Sequence, residues 1–270
     1  MVLSLTQVRA LFGVPSSGNA SGSAAEAIPA LRRATTAGEE AKGIAREKKD
    51  PVTLSALAQF RTALDKAGTI EKALQDPRVL KVLLPALGLA GQEGNAGLVR
   101  RALLSDPKDS RGLAAQLGAK WQNAAATLGV HATGLAGLRD KAMVETLSNA
   151  YLKYQYRTGL DERQAGLSDA LYFLESARTA RDVYDVLGDP VLRRVVTGAL
   201  GLPDQIAIQP VETQGRAVTA RLKVTALQDE RQVRKLAERY LIAAANQAAG
   251  AAAGQAGDPI TAITGLSLRT

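Results

Sequence analysis

Four carboxylates, Glu175, Asp182, Asp185 and Asp189, are the group best suited to chemistry. Asp182, Asp185 and Asp189 stand at i, i+3 and i+7, a spacing that on one helix would align three carboxylates able to hold Mg²⁺. The same residues fit a structural task better. Asp189 precedes Pro190 and is placed to cap a helix beginning there. Asp182 falls in a first turn, where the helix dipole favours an anion, and Arg178, Arg181, Arg193 and Arg194 lie close in sequence. His131, the one histidine, sits in the Gly-rich stretch Gly129–Gly134, which reads as a loop, with no nucleophile or orienting partner indicated. The stretch Gly91–Gly97 leads into a helix as an anion-binding loop would. It lacks the Gly-Lys-Ser/Thr ending of a phosphate loop and follows a helix rather than a strand, so it reads as a helix–helix connection. Tyr151, Tyr154, Tyr156, Tyr172, Phe173 and Tyr184 hold most of the aromatic residues, and Tyr151, Tyr154 and Phe173 are expected in the core. No catalytic, cofactor-binding or metal-ligating residue is expected, and the chain does not read as an enzyme.

The elements that would position these residues are helical. Five of the ten prolines follow Asp, at Asp50-Pro51, Asp76-Pro77, Asp106-Pro107, Asp189-Pro190 and Asp258-Pro259. Asp accepts free backbone N–H groups as an N-cap, and Pro in the first turn forfeits no needed donor, so most of these pairs are helix starts. Apolar residues recur at helical spacing in four stretches: Leu54, Leu57, Leu64 and Ala67; Val144, Leu147, Tyr151 and Tyr154, in a helix near 139–158; Leu167, Leu171, Leu174 and Ala177; and Val233, Leu236, Tyr240 and Leu241. Asp161-x-x-Gln164 and Thr225-x-x-Gln228 resemble capping boxes. Strand alternation is confined to Ile206-Ala207-Ile208, too short to build a sheet. The fold class is all-α.

Composition narrows the functions open to such a chain. Its 270 residues contain no Cys, one His and one Trp, which rules out disulfides, thiolate zinc sites, a Cys nucleophile and paired-His metal sites. No apolar run approaches the length of a membrane span. The net charge of +8 is spread along the chain rather than gathered in an arm. Its densest basic stretch, Arg216, Arg221, Lys223, Arg231, Arg234, Lys235 and Arg239, is diluted by Glu212, Asp229, Glu230 and Glu238. Only Tyr240 is near as a stacking platform, so nucleic-acid binding ranks below a solvated helical surface.

An internal repeat organises the body. Asp76–Leu89 and Asp189–Leu202 align without gaps, identical at seven of fourteen positions, and each ends in Ala-Leu-Gly-Leu. Each copy follows a short helix (Thr69–Leu74, Ala180–Leu187) and precedes another (near Leu98–Leu104 and Val218–Leu222). Gly88 and Gly201 fall where a helix would stop, and Pro85 and Gly198 are expected to kink the late helix. Two copies are too few for a solenoid. They read as two pseudo-symmetric multi-helix lobes sharing a core, at about 50–130 and 139–247, within a helical body of 26–247. Residues 1–25 read as a flexible segment: an apolar stripe of Leu5, Val8, Leu11 and Phe12, then the linker Pro15–Ser23. No secretory signal is expected there, because no positive region precedes the interrupted apolar run. Residues 248–270 read as a flexible tail, Ala-rich at first but interrupted by Gly.

Gln164–Ala177 and Val183–Pro203 carry a resemblance to an uncharacterised bacterial all-helical family, often encoded among flagellar genes. The similarity lies in Ala170-Leu-Tyr-Phe173, in the repeated Ala-Leu-Gly-Leu at Ala86–Leu89 and Ala199–Leu202, and in the placement of the helix holding Ala237, Glu238, Arg239 and Tyr240. It covers roughly 55–242; the stretch Gly129–Gly137 and both ends depart from it. These are core and cap residues, so they point to a fold before an activity. The resemblance implies a non-enzymatic structural or assembly accessory of the flagellum, acting by protein–protein docking. A cytoplasmic helical adaptor or chaperone-like protein is the alternative, and a weak basic nucleic-acid binder the third. The partner, the oligomeric state and the location, at the flagellum or in the cytoplasm, are open.

Overall fold

A computed structural model describes residues 22–256, with side chains to 251. The N-terminal stripe, the linker up to Ser21 and Asp258-Pro259 lie outside the described residues. Fifteen α-helices and short 3₁₀ turns, with no strand, make up the described residues. The chain divides into two compact units, Glu40–Tyr156 and a second made of 1–39 with 157–270.

The unit Glu40–Tyr156 contains most of α2 (Glu39–Glu47), then α3 (Pro51–Lys66), α4 (Ile70–Ala73), α5 (Pro77–Ala86), α6 (Ala96–Leu103), α7 (Leu113–Gln116), α8 (Ala119–Leu128), α9 (Val130–Arg139) and the first part of α10 (Lys141–Arg163). Phe60 and Leu64 of α3 pack with Val79, Leu83 and Leu84 of α5, all fully buried. Three cap side chains start these helices, two of them at the expected Asp-Pro pairs: Asp50 accepts from Thr53 N at 2.7 Å and Asp76 from Arg78 N at 2.9 Å, while Thr69 accepts from Lys72 N at 3.3 Å. The other end of α3 is closed from a distance. Arg139 donates to the carbonyls of Leu64, Asp65 and Ala67 at 2.6–2.9 Å, satisfying acceptors that the helix leaves unpaired. Leu54, expected on the apolar stripe, is exposed, and Ala56 and Phe60 define the buried face instead.

The second unit contains α1 (Ala24–Ala34), the end of α10, α11 (Leu167–Ser176), α12 (Val183–Gly188), α13 (Pro190–Ala199), α14 (Val211–Thr219) and α15 (Glu230–Ala256). The long α15 packs on α1, α11 and α13, burying Val233, Leu236, Tyr240 and Leu241. It runs well past the expected body limit at 247, so 248–256 are helical. Ala is the best helix former, and the Ala between Gly250 and Gly254 sustain the turns. At the other end, Ala24 already belongs to α1, with Ser23 at its N-cap position.

The boundary between units differs from the expected division near 130–139. The helices α9 and early α10 stay with Glu40–Tyr156 because Leu138 and Leu147 join its core and Arg139 caps α3. The stretch that precedes it joins the other unit, because α1 packs against α15 and α11. Each unit holds one copy of the repeat, and both copies end alike. Leu89 N donates to Leu84 O at 2.7 Å and Gly88 N to Pro85 O at 3.0 Å; Leu202 N donates to Thr197 O at 2.9 Å and Gly201 N to Gly198 O at 3.1 Å. Gly88 and Gly201 have φ of +71° and +62°. The Schellman arrangement needs that left-handed residue, which is why Gly stands at both positions.

Candidate functional site

In the unit that holds α15, a polar network lies inside the helical packing. Asp169 of α11, buried at 9% exposure, accepts two hydrogen bonds from Arg194 of α13, from Nε at 2.6 Å and from Nη2 at 2.8 Å. Tyr240 of α15 donates its hydroxyl to Asp169 Oδ2 at 2.7 Å. One carboxylate thus ties three helices together. Burial opposes the Arg194 charge, but its hydrogen bonds to Asp169 and that carboxylate's charge raise its pKa further. Burial, and then the Asp169 charge, push the Tyr240 phenol well above its ordinary range. Two glycines make room for the ring: a Cβ at Gly166 or at Gly198 would lie 2.9 Å from a Tyr240 ring carbon. The Gly at 198 in place of Pro85 therefore serves close packing.

Asp161, near the end of α10, sits beside this network. It accepts from Ser168 N at 2.8 Å and from the Ser168 hydroxyl. Burial lifts its pKa from 3.8 to about 6, opposed by the Ser168 hydrogen bonds and reinforced by the Asp169 charge. A carboxyl that holds its proton more tightly when folded stabilises the protein fully below the unfolded value, and that contribution is lost as pH rises through about 6. A change of this size corresponds to up to about 3 kcal/mol. Asp161→Asn is therefore expected to raise stability at pH 7 and to flatten part of the change between pH 7 and 4. Urea titrations of both proteins across that range measure it.

The acidic residues singled out by spacing are occupied with structural tasks. Asp182 accepts from Tyr184 N and Asp185 N at 2.8 and 2.9 Å, while Asp185 accepts from Arg181 N at 2.7 Å and Asp182 N at 3.3 Å, a reciprocal capping box for α12. Asp189 caps α13 through Val191 N and Leu192 N and also accepts from the Tyr172 hydroxyl at 2.7 Å. Burial and that bond push the Tyr172 phenol up to about 12. Glu175 pairs with Arg157. The capping boxes expected at Asp161 and Thr225 do not form: Asp161 lies within α10, and Thr225 lies in the 3₁₀ turn Val224–Gln228.

The remaining candidates are scattered. His131 lies in α9, in a single helical turn bounded by Gly129 and Gly134, both at φ +59°; the helix kinks at Gly134 before running on to Arg139. Its Nε2 lies 3.8 Å from Asp106 Oδ1. Asp106 itself, although followed by Pro, begins a turn rather than a helix. Gly91–Gly97 joins α5 to α6 through a 3₁₀ turn at Glu93–Asn95. Tyr151 and Phe173 are buried as expected. Tyr156 rather than Tyr154 is the other fully packed ring of α10, lying where Gly43 offers no side chain. Among the described residues, no three His, Asp or Glu side chains are grouped to hold a metal ion, and no helix is long and apolar enough to cross a membrane.

Around α12 and α14, Ile208, Tyr184 and Val211 are 77%, 55% and 43% exposed. The helices beneath them are closely joined, with Val183 and Leu187 of α12 against Gly215 of α14 and the Gln214 amide donating to Gln209 O at 2.7 Å.

The helices from the end of α5 to the start of α15 match the family model described as Protein of unknown function (DUF1217), over residues 86–233. The chain belongs to the DUF1217 family. The matched span takes in one Ala-Leu-Gly-Leu turn, the whole of the other repeat copy and both Asp169 and Arg194. This DUF1217 protein is also similar in fold to an X-ray structure of a structural-genomics target from Agrobacterium tumefaciens. The TM-score is 0.65 at 22% identity, covering 85% of this chain and 97% of that one. No curated protein matches it.

Asp169 and Arg194 were the residues least visible to sequence reasoning. Their signal was a charge in core phase: Asp169 stands four positions before Phe173, on the buried face of α11, and Arg194 directly precedes Val195 and Val196.

Proposed function

We propose that this DUF1217 protein is a non-enzymatic structural or assembly accessory of the bacterial flagellum and works by docking helix faces onto other proteins. The observation that carries the docking part is the contrast between its polar and apolar residues. The acidic side chains best spaced for chemistry cap and join helices, whereas Ile208, Tyr184 and Val211 are left open to solvent on one unit. Contiguous exposed apolar patches mark interaction surfaces, and Tyr184 and Val211 stand on two helices that pack together. The flagellar part is supported by the resemblance to a family often encoded among flagellar genes.

Crosslinked pull-down from motile cells tests the reading. Flagellar structural or export proteins are expected among the captured partners, and Ile208→Asp with Val211→Asp is expected to reduce their yield. Capture of general cytosolic proteins alone, unaffected by those substitutions, would turn the reading into that of an adaptor without a flagellar role.

A further inference from the structure

A second surface of the same unit has a different composition. Between α1, the ends of α13 and α14, and α15 runs an open groove of about 360 Å³. Ile28, Leu200, Leu222 and Ile242 are half-exposed along it, with Leu236 beneath. Its polar rim is mainly basic: Arg221, Lys235 and Arg239 against one acid, Glu238.

The arrangement of charge along α15 is specific. Glu230, Arg234 and Glu238 follow one another at i, i+4 and i+8, so neighbours on that row have opposite charge. The adjoining row is Arg231, Lys235 and Arg239, like charges at the same spacing, which repel one another. Lys235 and Arg239 form no ion pair among the described residues, and Arg221 donates only to a carbonyl of its own helix, Ala217 O, at 3.3 Å. Lys235 and Arg239 of that row, together with Arg221, border the aliphatic groove, and Glu238 is the one acid that lines it, which leaves the lining with an excess of positive charge.

We infer that this groove docks an amphipathic helix of a partner protein whose aliphatic stripe is flanked by acidic residues four apart. The inference rests on the docking reading and names the chemistry of one partner. A helix laid along α15 would place aliphatic side chains against Ile28, Leu200, Leu222 and Ile242 and carboxylates against the basic row. Nucleic acid fits the groove less well. Base stacking needs exposed aromatic faces, while the floor is aliphatic and the nearest ring, Tyr240, is buried.

Selection from a displayed library of helical peptides of about 16 residues, using the full chain as bait, tests this. Enriched peptides should carry aliphatic residues at i, i+3 or i+4, and i+7 with Asp or Glu beside them. Their affinity, read by fluorescence anisotropy, should fall at least about tenfold on the Lys235→Glu/Arg239→Glu double substitution and again with rising salt. Replacing the peptide's acids by Lys should restore binding to that double variant. Ile28→Ala, which leaves the charge as it is, should weaken binding through the lost aliphatic contact. Circular dichroism and the melting midpoint check that both variants stay folded. Enrichment of no acidic helix, or binding indifferent to the charge reversal, would overturn the inference. A single-stranded RNA oligonucleotide that bound more tightly than any peptide, and lost binding on the same reversal, would reassign the groove to nucleic acid. Failure here is separable from failure of the flagellar reading. A groove without a peptide ligand in a chain whose deletion abolishes swimming leaves docking through another face, whereas a working groove in a dispensable chain removes only the flagellum.

Discussion

Asp169→Ala is expected to destabilise the unit holding α11, α13 and α15 by about 3 kcal/mol, the lower part of the range for breaking a buried ion pair. The lower part applies because the Arg194 side chain keeps 25% of its exposure while that of Asp169 keeps 12%. The loss arises less from the attraction removed than from the groups left behind. Arg194 would keep a largely desolvated guanidinium without its carboxylate, and Tyr240 a buried hydroxyl without its carboxylate acceptor. A denaturant titration and amide exchange at Val195 and Leu241 measure it. Asp169→Leu with Arg194→Met should recover much of the loss, because an apolar pair of similar volume removes both the charge and its desolvation cost. A single Asp169→Ala within about 0.5 kcal/mol of the natural chain would show that the network contributes little to stability.

Phe60→Ala is expected to cost about 3–5 kcal/mol in the unit Glu40–Tyr156, the range for removing a fully buried ring. Phe60 has no exposure and lies among Leu64, Val79, Leu83 and Leu84, and most other core side chains of that unit are aliphatic. Exchange of the Leu64 and Leu83 amides should accelerate by about two to four powers of ten, the equivalent of that free energy. Phe60→Leu, which keeps most of the volume, should cost less than half as much.

Sequence reasoning reached the helices, the caps at Asp50, Asp76 and Asp189 and the glycine stops at Gly88 and Gly201, because each depends on residues a few positions apart. The glycines on either side of His131 read as a loop, whereas the residues between Gly129 and Gly134 close one helical turn between two left-handed breaks. The unit boundary was out of its reach. That boundary depends on which helix the Arg139 guanidinium caps, some seventy residues away, and on α1 packing against the last long helix. Asp-x-x-Gln has the cap spacing at Asp161, whereas the partner of that carboxylate, Ser168, lies seven residues onward, across the turn at Gly166. The Asp169–Arg194–Tyr240 network joins residues 25 and 71 positions apart, separations at which periodicity carries no information. The groove beside α15 shows why a spread net charge said little: of the four basic residues on that helix, Arg234 alternates with Glu230 and Glu238, whereas Arg231, Lys235 and Arg239 follow one another four apart.

The most direct measurement of the functional claim is swimming by a bacterium from which this gene alone has been deleted in frame, with filaments counted by electron microscopy. The account predicts swim rings collapsed toward those of a strain without flagella, filaments missing or malformed, and both defects reversed by the natural chain supplied in trans. A deletion strain that swims normally and carries natural filaments would contradict it.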